Sequence, residues 1–480
     1  MRRRFFVPFV LLGLVAACAT NPVTGRRELA LMSEAQEISI AQESDAQIKT
    51  EMGVYNDPEL QAYVTDIGQR MARISERPQL PWRFTVVDVP AVNAFAVPGG
   101  AIYLTRGILP FLDSEAELAG VIGHEIGHVT ARHSAQQYTR QVSGQVGLLA
   151  LGLFVPQARP FGELSSQALG VLFMKYGRDD ELQADRLGAR YEATLGWDPA
   201  AAPAFLSTLG RLDEAAGDRR GVPNWMSTHP EPLSRVRDIQ ATVAELKASG
   251  ASFSMNRDAW IRRLDGIVYG DNPEQGLARG SAFQHPVLRF RIDFPDQWEI
   301  ANSPQQVVAE APGGDALMIL RGVEQPEGQN IQEIASTSME AAGFRGTQGE
   351  AVRISGLEAY LGVYEGQIEG LGVVTMRAAH IRHDGEVYLV AGLVPPDDFR
   401  EADGTFLASI RSFRRLSAAE AEAIHPDRVD LYVVRTGDTW QSIAERSGAI
   451  VSPATLAIMN QVTLATQPQR GTRIKIVVSG

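Results

Sequence analysis

His124-Glu-Ile-Gly-His128 sets two imidazoles four residues apart. Four residues of helix turn through about 400°, so both rings leave one face, about 6 Å apart along the axis. That spacing suits two corners of a tetrahedron around a zinc ion, with nitrogens about 2.0–2.1 Å from the metal. Glu125 is one step round, placed to reach a water on such a metal without ligating it, where a general base belongs. The pattern also fits an amphipathic helix whose two histidines are satisfied by core hydrogen bonds. Residues 118–129 bear on that choice, because Ala, Gly, Val and Ile surround the motif and bury the helix on most sides. Two buried imidazoles need partners, and a metal supplies them for both at once.

A zinc site needs a third protein ligand. Glu181-Leu-Gln-Ala-Asp185 lies early in a second expected helix, residues 179–195, and Glu181 is the best candidate. Asp185 falls one turn later on the same face, where a residue that orients a ligating histidine would stand. The two carboxylates equally fit a solvated acidic helix start, which the helix dipole favours in any protein.

These residues need elements to hold them. Ser33 with Gln36 forms a capping box for a helix to about Met52, and Asp57 caps another through Ile74. Residues 84–89 and 101–104 read as short strands around the loop 94–100. Ser114 with Glu117 opens a long helix through about Tyr138. A Gly/Leu-rich segment follows, and further helices fit 179–195, 199–212 and 232–246. This first block is mostly helical.

Several motifs together are similar to the HtpX-like and CAAX-prenyl-protease-like zinc metallopeptidases. They are the HEIGH run, the downstream Glu-x-x-x-Asp, Asn93-Ala-Phe-Ala-Val-Pro-Gly-Gly100 and Ser227-Thr-His-Pro230. The resemblance covers about residues 20–248 and is nearest to bacterial lipoprotein members, which share the Asn21-Pro-Val-Thr-Gly25 stretch. It implies a mainly α zincin-type domain with one Zn²⁺ held by His124, His128 and Glu181. It makes Glu125 the general base and Asp185 the carboxylate behind the ligands. Asn93, Ala94, Phe95, Gly99 and Gly100, with the strand residues Ala101, Ile102 and Tyr103, become the wall and edge strand that pair with an extended peptide. His229 and Arg235 match a Thr-His-Pro-x4-Arg element near the site. His229 then stabilises the tetrahedral intermediate or fills the zinc's fourth position in a latent form; a turn-capping role before Pro230 is the bland alternative. The chain lacks the transmembrane helices of the integral-membrane members, which argues against prenylated substrates. It also lacks a helical-repeat tail.

The remainder of the 480 residues divides further, as a prior of about 150 residues per domain expects. Residues 249–280 carry Gly, Asn and Pro and read as a linker. From 281 to 416 the periodicity is strand-like with two helices, an α+β module, and its Phe294-Pro-Asp-Gln-Trp298 near the start with Phe406-Leu-Ala-Ser-Ile-Arg-Ser-Phe413 at the end resembles the PsbP/Mog1 type. Trp298 and Phe413 fit its core. His380 and His383 lie three apart on one strand, hence on opposite faces, and read as a solvated strand end rather than a metal pair. After a second linker, 417–430, residues 431–478 carry Tyr432, Gly437-Asp-Thr439, Asn460 and a final strand. This βααβ pattern resembles a LysM domain, which implies peptidoglycan binding; a spacer or protein-docking role keeps the same fold.

Charge and cysteine content narrow the function. With 57 Asp+Glu against 45 Lys+Arg the net charge is −12, so nucleic acid is excluded as a partner. A single cysteine excludes a disulfide framework and any Cys-based zinc site. That residue, Cys18, follows a basic Arg2–Arg4, an apolar stretch and Leu14-Val-Ala-Ala, which resembles a bacterial lipobox. The expectation is a signal peptide over 1–17, a lipid on Cys18 as the only membrane attachment, and a tether over 18–32. Ala19 points to the outer membrane. A zinc endopeptidase of unfolded or misassembled envelope proteins fits these features best. A chaperone-like assembly factor for outer-membrane proteins and a peptidoglycan-binding scaffold are the alternatives.

Overall fold

A computed structural model describes residues 18–140, 175–216, 225, 229–230, 232–248, 250–325, 329–368 and 371–480. The signal segment 1–17, much of the Gly/Leu-rich segment and Thr228 of the Thr-His-Pro element lie outside the described residues. The chain forms two compact units. Residues up to Tyr269 join Asp427–Ser479 in the first, and the second runs from Gly270 to Pro426.

The first unit opens with a small hairpin, β1 (Cys18–Thr20) and β2 (Arg27–Leu29), where a tether was expected. Asn21 explains the order: its amide donates to Ala131 O at 3.2 Å, and its Oδ1 accepts from the N–H groups of Val23 and Thr24. Helix α1 (Glu34–Met52) begins at the Ser33/Gln36 capping box, and α2 (Pro58–Ile74) at Asp57, whose Oδ1 accepts from Leu60 N–H.

Next come three strands, β3 (Arg83–Val87), β4 (Ala94–Val97) and β5 (Ala101–Thr105). Their order is β3-β5-β4, with β3 parallel and β4 antiparallel to β5. Both faces are covered. Phe84, Val86, Ala94, Ala96, Ile102 and Leu104 join the main core, whereas Phe95, Val97, Ala101 and Tyr103 pack with Ala41 and Ile48 of α1.

Helix α3 (Glu115–Thr130) carries the HEIGH motif. The Ser114 side chain accepts from Glu117 N–H, but the Glu117 carboxylate turns to Asp113 N–H, so the reciprocal half of the expected capping box is absent. The helix also stops short of Tyr138. Arg132 takes a left-handed φ of +61°, held there by its guanidinium on Glu37 and Met32 O, and helical geometry resumes from His133. Helix α4 (Arg178–Thr194) crosses close to α3, with α5 (Ala201–Ala216) and α6 (Pro232–Lys247) beyond. Glycine permits the crossing: a Cβ on Gly123 would lie 3.0 Å from Gly188 Cα, and one on Gly127 would lie 3.0 Å from Ala184 Cα.

The stretch expected as the first linker supplies α7 (Arg257–Arg263) and β6 (Val268–Tyr269) to this unit. Trp260 is fully buried and donates to Leu112 O, burial that a linker would not provide.

The second unit is α+β. Strands β7 (Leu277–Arg279), β8 (Ala282–His285) and β9 (Phe290–Asp293) belong to a four-stranded sheet. Seven antiparallel strands follow the order β10-β11-β12-β16-β15-β14-β13. They are β10 (Glu299–Asn302), β11 (Gln306–Glu310), β12 (Leu317–Val323), β13 (Arg345–Ile354), β14 (Leu357–Ile368), β15 (Gly372–His383) and β16 (Glu386–Val394). Helices α8 (Ile331–Ala341) and α9 (Phe399–Ser412) cover opposite faces, shown by Met339 in one core and Phe406 in the other. Phe413 is fully buried and Trp298 half-buried beside Phe406. His380 and His383 are buried rather than solvated: His380 Nε2 meets Ser338 Oγ at 2.7 Å, and His383 Nε2 meets Leu288 O at 2.9 Å.

Residues 427–479 return to the first unit as β18 (Asp427–Val433), α11 (Trp440–Arg446), α12 (Pro453–Met459) and β19 (Arg473–Ser479), after β17 (Arg414–Arg415) and α10 (Ala418–Glu422) of the second. Strand β18 pairs with β19 and, through Asp427 and Arg428, with β6. Lys475 is fully buried, its ammonium donating to Leu112 O at 2.7 Å, and Gln461 donates to Phe111 O and Glu117. The strand–helix–helix–strand order is the expected one, and it is built into the first unit's core.

Candidate metal centre

Helix α3 presents His124 and His128 to one point, with their Nε2 atoms 3.0 Å apart. Across the Gly-lined crossing, α4 brings Glu181 to the same point: its carboxylate lies 3.6 Å from His124 Nε2 and 3.4 Å from His128 Nε2. His229 completes the cluster, its Nδ1 3.2 Å from His124 Nε2 and 2.9 Å from Glu181 Oε1. One donor atom from each of the four lies within 4.8 Å of every other, and all four residues are buried. Lone-pair atoms that converge in the dry interior repel unless a proton or a cation lies between them. The donor set, three imidazoles and a carboxylate, is the N/O chemistry that zinc takes.

Glu125 stands beside the cluster. Its Oε1 is 3.5 Å from His229 Nε2, and neither carboxylate oxygen has a hydrogen-bond partner among the described residues. Burial pushes this carboxyl up to about 7. Burial also acts on Glu181, but His229 and Arg235 outweigh it and hold the carboxylate well below its ordinary range. In Asp185, Arg235 and His124 likewise overcome burial and lower the pKa. Burial drives His128 well below the usual imidazole value, leaving it neutral as a ligand must be.

Around these stand the supports. Asp185 Oδ1 is 2.9 Å from His124 Nδ1, and Arg235 grips Asp185 through Nε at 2.8 Å and Nη2 at 2.6 Å while pairing with Glu181. Sequence spacing placed Glu181 and Asp185 near the motif, the family resemblance added Arg235, and the fold brings all three together. It missed the aromatic walls: Tyr176 stacks on His128 at 3.9 Å, and Trp225 on His229 at 4.2 Å. The backbone N–H of Trp225 also donates to Val92 O, and the backbone N–H of His229 to Trp225 O.

The expected peptide-pairing strand requires correction. Ala101, Ile102 and Tyr103 lie on β5, which is central because β3 and β4 pair with it on either side; β4, with Ala94 and Phe95, is an edge. Phe95 stacks on Tyr103 beneath α1, and Tyr103 OH donates to Asp45. Asn93 Oδ1 accepts from Ala94 N–H, and the Gly99 and Gly100 turn closes against α1 and Trp82.

A motif helix with two histidines, a crossing helix with a glutamate, and an unbonded glutamate between them define a metallopeptidase-type site. The model of peptidase family M48 matches residues 58–243. The mitochondrial metalloendopeptidase OMA1 of Schizosaccharomyces pombe is 31% identical over 245 residues, covering 50% of this chain and 70% of that protein. The beta-barrel assembly-enhancing protease of Escherichia coli K12 is 31% identical over 238 residues, 48% of each chain. The chain belongs to peptidase family M48. It spans about half the length of the beta-barrel assembly-enhancing proteases that it matches. Cyanobacterial PsbP from Synechocystis is 14% identical with a TM-score of 0.24, covering 30% of this chain and 98% of that structure.

Proposed function

We propose that this chain is a zinc-dependent endopeptidase of envelope proteins, attached to the membrane through a lipid on Cys18. The observation that carries the reading is the buried His124–His128–Glu181–His229 cluster with the unbonded Glu125 carboxylate at its side. His124, His128 and Glu181 would hold the ion. A zinc so held supplies Lewis acidity toward a scissile carbonyl and acidifies a water to a pKa of about 7. Glu125 takes the proton of the attacking water and returns it to the leaving amine. Asp185 and Arg235 fix the ligands, and β4 offers the edge to which an extended peptide adds. The complete burial of His229 among the ligands supports its fourth-position role in a latent form. Unfolded or misassembled outer-membrane proteins are the proposed substrates, a reading supported by the name of the Escherichia coli relative.

In residues 431–478, the open groove of about 590 Å³ along Leu431–Thr436, Arg470 and Gly471 offers room for a peptidoglycan strand. The closed site also favours a second reading, an assembly factor with little proteolysis.

The test is cleavage of casein and of an unfolded outer-membrane protein by residues 19–480. A chelator should abolish it and zinc restore it, with His229→Ala faster than the wild type. No cleavage by either protein would favour the assembly factor.

A further inference from the structure

His133 lies five residues after His128, and on a continuous helix it would stand about 140° round from it. The fold does otherwise. The left-handed turn at Arg132 interrupts the helix, and His133 stands with its Nδ1 3.0 Å from His128 Nδ1. Positive φ costs a non-glycine residue free energy and persists only where surrounding contacts impose it. Here Arg132 Nε donates to Glu37 Oε1 at 2.7 Å and Nη2 to Met32 O at 2.6 Å. On its far side, His133 Nε2 lies 3.0 Å from Gln183 Oε1, two residues along α4 from Glu181.

The hydrogens along this chain can be assigned from chemistry. An amide oxygen only accepts, so His133 Nε2 carries a proton. A neutral His133 then has a lone pair at Nδ1 and accepts from His128 Nδ1–H. His128 is left with its lone pair on Nε2, the atom that faces His124 and Glu181. His124 reaches the same state through a different partner, its Nδ1 lying against Asp185.

We propose that His133 is a positioning residue that fixes the tautomer and ring orientation of His128 for metal binding, itself oriented by Gln183. The proposal rests on the zinc-site reading above. The two histidines of the motif are therefore held unlike each other, one by a carboxylate and one by a second imidazole.

The test is the zinc Kd of the full chain, measured by competition with a chromophoric chelator, together with the melting temperature without metal. His133→Phe keeps an aromatic ring and removes the acceptor, and should weaken zinc binding about 10- to 100-fold, as loss of a ligand's hydrogen-bond partner does. His133→Asn returns an acceptor near the Nδ1 position and should recover most of that loss. Gln183→Leu should weaken binding several-fold, and it carries the test if His133→Phe does not fold. Zinc binding by His133→Phe within about twofold of the wild type would overturn the proposal. So would equal losses in His133→Phe and His133→Asn with unchanged melting. A wild-type chain that takes up no zinc, or whose uptake survives His124→Ala, would overturn the zinc-site reading itself and this proposal with it.

Discussion

Asp185 Oδ1 stands 2.9 Å from His124 Nδ1, and both of its oxygens are gripped by Arg235 from another helix. An imidazole so held keeps its Nδ1 proton and turns Nε2 to the cluster. Asp185→Ala should weaken zinc binding about 10- to 100-fold and lower the melting temperature, since Arg235 stays buried with one partner fewer. Asp185→Asn keeps an acceptor and should lose less. A chelator-competition titration of both variants measures the difference, and equal Kd values in all three proteins would contradict the role.

The α3–α4 crossing depends on missing side chains. A Cβ at Gly127 would meet Ala184 backbone atoms at 3.0 Å, and backbone cannot rotate away. Gly127→Ala should destabilise by about 1–3 kcal/mol and move Glu181 away from the two histidines. Calorimetry and zinc titration should fall together; an unchanged melt would show that the crossing has room to spare.

Acid should loosen the second unit first at its histidines. Burial lowers His285 and His380 to about 4, so in the folded state both stay neutral where an unfolded chain binds protons. The unfolded state therefore takes up more protons between about pH 6.5 and 4, and stability falls as pH falls through that window. Scanning calorimetry at pH 7 and pH 5 should show a lower transition for this unit at pH 5. His380→Gln should shrink that difference, and a variant with an undiminished difference would assign the loss elsewhere.

Legibility in the sequence followed locality. The caps at Ser33 and Asp57, the motif helix and the Glu181–Asp185 turn are set by residues within a few positions of each other, and they stand where spacing put them. The break at Arg132 was not legible, because it is imposed by Glu37 nearly a hundred residues earlier. For the same reason His133 had no visible partner. The order β3-β5-β4 depends on parallel pairing, which alternation along a strand does not encode, so nothing local corrected the edge role that the family resemblance implied for residues 101–104. Lys475 is buried, with its ammonium on Leu112 O, a partner far away in the sequence that no local pattern encodes. Of the site, the motif residues and the carboxylates Glu181 and Asp185 were readable; Tyr176, Trp225 and Gln183 belong to no spacing pattern.

Glu125 bears most directly on the central claim. Its carboxylate is buried, unbonded and beside the four-residue cluster, which suits proton transfer and offers little to stability. Residues 19–480 and their Glu125→Gln variant should be compared for bound zinc and for casein cleavage. One zinc per chain in both, with cleavage lower by about 10²–10⁴-fold in the variant alone, is the predicted result. Equal zinc-dependent cleavage in both proteins would contradict the account.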